Sequence, residues 1–189
     1  MLEKLDSVDW ASLQHAYGSA ADIPNLLRSL LSEDEQIRDN AIYELFGNIH
    51  HQGTVYEASS YAIPFLMEFL NCPEFLEKVD IAVLVICIAG YYDVCAPGES
   101  EGKISQIIRQ VRLAALPHIP QLLPYLQLPD LREEIGYEAA LMFSRYPEHF
   151  ELAIPALENA ISAQTDEDIK EEMQTLLDDI KKCNRKTSV

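Results

Sequence analysis

The densest group of side chains able to do chemistry is Gly47-Asn48-Ile49-His50-His51-Gln52-Gly53-Thr54-Val55-Tyr56-Glu57. Imidazoles titrate near neutral pH and bind protons, metals or acidic groups, and a neighbouring phenol can donate to the same partner. His50 and His51 are adjacent, however, so on a helix they point about 100° apart and are badly placed to share one metal ion. The His-x-x-x-His spacing that puts two ligands on one helical face is absent. So are the Gly-x-Ser-x-Gly, P-loop and dinucleotide-binding patterns, and no cofactor or metal is expected. Part of the cluster has a structural reading. Gly53 suits a left-handed helix end, Thr54 can cap the next helix, and Glu57 can complete a capping box with it. The two histidines and Tyr56 are left over. Cys95, beside Tyr91, Tyr92 and Asp93, is a further nucleophile to weigh, but a lone cysteine in a loop is usually inert.

Composition narrows the classes. The chain of 189 residues holds 31 acidic and 14 basic side chains, a net charge of −17. Five of the basic residues lie in the last twenty positions, so residues 1–169 carry 27 acidic against 9 basic, a net of −18. Nucleic-acid binding draws most of its affinity from Lys and Arg on phosphates, so a nucleic-acid partner is not expected. The four cysteines form no Cys-x-x-Cys pair and read as reduced thiols of a cytoplasmic protein. The acidic N-terminus does not read as a signal peptide, and the longest apolar stretch, Ile81 to Gly90, is about half a bilayer span. No membrane association is expected.

The elements that would position the histidines come from an internal repeat. Ile-Pro occurs at Ile23-Pro24, Ile63-Pro64, Ile119-Pro120 and Ile154-Pro155, at intervals of 40, 56 and 35 residues. Each pair is followed by apolar residues at helical spacing. After three of them comes an acidic turn and then Ile37-Arg38, Leu131-Arg132 or Ile169-Lys170, opening a second amphipathic helix. Ser32 to Glu35, Pro129-Asp130 and Thr165 to Asp168 supply its caps. Each unit is then a helix with proline near its start, a turn and a second helix. Helices are expected at about 8–16, 22–32, 34–51, 57–71, 75–91, 104–115, 118–127, 130–145, 149–163 and 166–183. A turn-rich, mobile polar loop is expected over 93–103, and Ile81–Ala89 should be buried between units.

This pattern resembles the HEAT-repeat family. Ile37-Arg38-Asp39-Asn40-Ala41-Ile42-Tyr43-Glu44-Leu45 is similar to that family's second-helix motif, and the likeness spans roughly residues 20–184. The His50 run, with Val8-Asp9-Trp10 and His15-Ala16-Tyr17-Gly18 upstream, resembles short bacterial HEAT-like proteins that carry no established activity, so it implies no catalytic residue. The fold expected is an all-α, right-handed α-solenoid of about four helix pairs. Residues 1–184 would form one domain, with repeats at about 20–53, 54–92, 104–147 and 148–184, an insertion at 93–115, and a disordered tail at 185–189.

In such a solenoid all turns between repeats share one edge. Those turns hold His15, Tyr17, His50, His51, Gln52, Tyr56, Tyr91, Tyr92, Tyr146 and His149. The second helices line a concave face with Glu35, Asp39, Glu44, Asp80, Glu133, Glu134, Glu138, Glu171 and Glu172. A negative concave face steers basic partners. The function expected is non-enzymatic: a scaffold that binds a basic protein partner, immunity-like or adaptor-like, through Glu133, Glu134 and the His/Tyr edge. The alternative is an enzyme or small-ligand sensor working at the edge around His50 and His51.

Overall fold

The computed structural model describes residues 1–91 and 101–187, with the side chains of 101–105, 130–134 and 186–187 outside the described set. The described chain is mostly helical. Its helices are α1 (Ile23–Ser29), α2 (Glu35–Ile49), α3 (Glu57–Leu70), α4 (Lys78–Gly90), α5 (Glu101–Ala115), α6 (Ile119–Leu122), α7 (Pro129–Ser144), α8 (Phe150–Ala163) and α9 (Glu167–Thr187). It divides into two compact units, Met1–Ala115 and Leu116–Val189.

In the first unit α1 packs on α2, α3 on α4, and α2 on α4. Pro24 stands in the first turn of α1, where its missing N–H costs nothing. Asp34 caps α2 by accepting the Gln36 N–H at 2.9 Å. The apolar run is buried as expected: Ile81, Leu84, Val85, Ile86 and Ile88 of α4 are inaccessible to water. Helix α5 packs on α3 and α4. It begins at Glu101, earlier than residue 104, so the expected polar loop narrows to 93–100, which lies outside the described residues.

The second unit is built on α9, which lies against α7 and α8. Gly136 of α7 allows this approach, because a Cβ there would sit 3.0 Å from Met173 Sδ and 3.3 Å from Gln164 Nε2. Asp166 caps α9, accepting N–H groups from Asp168 and Ile169.

Four further expectations need correction. Residues 8–16 are not a helix: 3-10 turns at Leu5–Ser7 and Trp10–Ser12 lead into a hairpin of β1 (Gln14–His15) and β2 (Gly18–Ser19). The Trp10 indole N–H donates to Leu5 O at 2.9 Å and the ring packs on Phe65, so burying this one ring outweighs helical periodicity. Residues 118–127 are broken into 3-10 turns around the short α6, since Pro117, Pro120 and Pro124 each remove a helical donor. Pro64 and Pro155 stand inside α3 and α8 rather than near their starts. The fourth correction concerns Thr54 and is given with the site.

Candidate functional site

The hairpin and the end of α2 bring His15, Tyr17, His50, His51, Gln52 and Tyr56 into one region of the first unit. The Ala16 N–H donates to Asn48 O at 3.0 Å, which fastens the hairpin turn to α2. His15 is buried. Its Nδ1 accepts the Tyr17 N–H at 3.0 Å, so the ring proton sits on Nε2 and is given to Asp22 Oδ1, also 3.0 Å away. The other Asp22 oxygen accepts from Asn48 Nδ2 at 2.9 Å. Asp22 stands at the N-cap of α1 yet makes no capping bond there. It is the residue that sequence reading missed, because its partners His15 and Asn48 lie 7 and 26 residues away and no local pattern marks them.

Beyond α2 the chain turns through Gln52, at φ 48° and ψ 42°, and Gly53, at φ 76°. Gly53 takes the left-handed conformation as expected, whereas Gln52 is held in a region that β-carbons disfavour. This turn places His51 Nδ1 3.2 Å from the Tyr17 hydroxyl, with the two rings edge to face at 5.2 Å. The cap of α3 is not Thr54 with Glu57. Instead, the Tyr56 N–H donates to Ser59 Oγ at 2.8 Å, and the Ser59 hydroxyl donates to Ile49 O at 2.7 Å. Two backbone groups are satisfied by one buried hydroxyl, and the Glu57 carboxylate is used to accept the Gln14 N–H at 3.2 Å. Burial holds the His50 imidazole below its ordinary range. The Tyr56 phenol is raised, chiefly by burial and then by the neighbouring Tyr17 hydroxyl.

This arrangement is a fastening. Both nitrogens of His15 are engaged, so it offers no lone pair to a metal or to a substrate proton. Among the described residues no group of three or more His, Cys, Asp or Glu side chains is placed to hold a metal ion. The other expected edge residues lie apart in the chain: Tyr91 follows α4, and in the second unit Tyr146 is buried while His149 Nε2 meets Leu116 O at 2.8 Å. Tyr92 lies outside the described residues, as does Cys95. The backbone of Glu133 and Glu134 lies in α7, and their side chains are also outside the described set.

Comparison with family models, with curated proteins and with solved structures finds no match.

A different constellation stands on α2 and α4. Glu35, Asp39, Glu44 and Asp80 are all exposed there. Asp39, Asp80, Ile42, Tyr43 and Phe46 line a cleft of about 350 Å³. The carboxyl of Asp80 is raised above its ordinary range, mainly by burial and also by the charges of Glu77 and Asp39, against the pull of its own backbone N–H. Among the described residues no Lys or Arg pairs with Asp39 or Asp80. Tyr43 is 76% exposed at the cleft. Two carboxylates and an aromatic face, with no cation between them, suit an ammonium or guanidinium group. Among the described residues no helix is long and apolar enough to cross a membrane.

Proposed function

We propose that this chain is a non-enzymatic, HEAT-like scaffold of stacked helix pairs that binds a basic protein partner. The observation that carries this reading is the pair Asp39 and Asp80 on neighbouring helices, with no Lys or Arg paired to either among the described residues, beside the exposed Tyr43. Side-by-side packing of the second helices α2 and α4 supports the repeat reading, because such helices form the working face of a solenoid. The charge of the whole chain points the same way, since a field of one sign speeds encounter with a partner of the other. An immunity-like or adaptor role in the cytoplasm, toward a basic toxin or nuclease, fits an acidic binder of this size.

The test begins with capture of the native partner and continues with stopped-flow association. Reversing both charges, Asp39→Lys with Asp80→Lys, is expected to slow association about tenfold or more and to flatten its dependence on salt. An association rate unchanged by both salt and reversal would overturn the reading. Activity would then be sought at Tyr17 and His51.

A further inference from the structure

A second cleft, of about 390 Å³, lies between the turn joining α1 to α2 and the turn joining α3 to α4. Leu30, Leu31, Phe75 and Leu76 form its apolar walls. Leu31 is 48% exposed and Leu76 77%, and large apolar side chains gathered at one cleft mark an interaction site, where scattered ones would not. Its polar floor is one ion pair. Arg38 Nη1 donates to the carbonyls of Ser32, at 3.0 Å, and Glu33, at 3.1 Å, and its Nε pairs with Glu77 Oε1. The Glu77 side chain is 11% exposed, and its second oxygen, Oε2, is buried with no hydrogen-bond partner among the described residues. A buried carboxylate oxygen without a donor is costly and calls for a reason. Among the described residues lining the cleft, Arg38 and the Met1 α-ammonium stand against Glu33, Glu74 and Glu77, a net of −1. Lys78, next along the chain, donates to Pro73 O at 3.3 Å and does not line the cleft.

We infer that this cleft takes an arginine side chain of the protein partner, flanked by an apolar residue that packs on Leu31 and Leu76. The inference rests on the reading of the chain as a binder of basic proteins and names the anchor. A guanidinium matches the site in each part. Its methylene stem suits the walls of Leu30 and Phe75, its fork can donate to the Glu77 carboxylate and share it with Arg38, and its charge answers the acidic excess of the lining. Oε2 is buried in the free chain, so engagement requires the carboxylate to turn about its broad last torsion, with Oε1 shifting on Arg38 as it does.

The test uses the full chain labelled with nitrogen-15 and two peptides, acetyl-Leu-Arg-Leu-amide and its uncharged counterpart with citrulline for arginine. The arginine peptide should shift the amides of Ser32, Leu76 and Glu77, and the citrulline peptide should bind about tenfold more weakly, the loss of one charge-assisted bond. Glu77→Gln should weaken the arginine peptide to a similar degree. Leu76→Ser, at an exposed position that leaves the Arg38 pair intact, should weaken both peptides. Equal affinity for the two peptides, or shifts confined to other residues, would overturn the proposal. So would the same amides shifting on dilution without peptide, which would seat a second copy in the cleft. If these peptides fail while Asp39→Lys still slows a basic partner, the cleft alone is wrong. If they bind while association ignores Asp39 and Asp80, the broader reading alone is wrong.

Discussion

Asp22 and Asp80 belong to the same unit and were treated oppositely by the fold. Asp22 has a donor on each oxygen, from His15 and Asn48, and that network ties the hairpin to α2. Asp80 has a raised carboxyl, acidic neighbours and no cation beside it among the described residues. Folding explains the first arrangement, because the bonds close a junction between elements far apart in sequence. Folding is hindered by the second, because like charges crowded at a half-dry surface repel. Where a chain keeps a feature that opposes its own stability, a partner is the place to look for the compensation. His15 drew the eye in the sequence, and it stands on the structural side of this divide.

The largest effect tests where the divide runs through α4, which carries Asp80 at its start and the core along its length. Val85→Asp should cost about 4 kcal/mol or more, since a charge would be buried without a partner, and the chain should lose its helical circular dichroism. A stable variant would mean that α4 is a surface element and that the contrast with Asp80 is empty. Next comes the fastening. Asn48→Ala leaves an Asp22 oxygen and a packed position unfilled and should cost about 1–3 kcal/mol in urea unfolding, with partner affinity per folded molecule unchanged. A loss of affinity without a loss of stability would move the site to the hairpin.

Acid provides a finer test. Burial keeps His50 below its ordinary value of 6.5, so the unfolded chain takes up a proton that the folded chain resists. Stability is therefore full above about pH 6.5 and declines as the pH falls from there toward the folded value. His118, also lowered by burial, acts in the same direction. The His50→Gln variant should lose part of this decline when urea midpoints at pH 7.5 and 5.5 are compared, and an unaltered slope would place His50 in water. The smallest effect is the opposite in sign. Asp80 is raised, so the folded chain holds its proton more tightly and gains stability as the pH falls through the window above 3.8. Asp80→Asn should accordingly stabilise the chain at pH 7, by about 0.5 kcal/mol or less because much of the group stays in water. A destabilised variant would show Asp80 to be structural, like Asp22.

Apolar spacing and an acidic cap, both local signals, made α2 and α9 readable from their residues, while α4 was readable from its unbroken apolar run. The hairpin at Gln14–Ser19 was hidden for the opposite reason. Its cause is nonlocal: the Ala16 N–H reaches Asn48 O, and His15 reaches an aspartate that itself serves Asn48. The cap of α3 was misassigned because Thr54 and Glu57 have the right spacing, while Tyr56 and Ser59 have the right geometry. The acid-rich face was visible as composition, but which acids stand together depends on α2 lying against α4. Arg38 shows the limit most plainly. Its place in a repeat motif was evident, and its engagement with Glu77, thirty-nine residues away, was not.

Trp10 is the chain's single tryptophan, 4% exposed, with its indole N–H bound and its ring tilted against Phe65 at 6.0 Å. Its fluorescence is therefore a natural label for residues 1–115. Far-UV dichroism weighs both units. A single midpoint by both signals would mean that the chain melts as one cooperative body, and an emission change that precedes or trails the dichroism would give each unit a stability of its own.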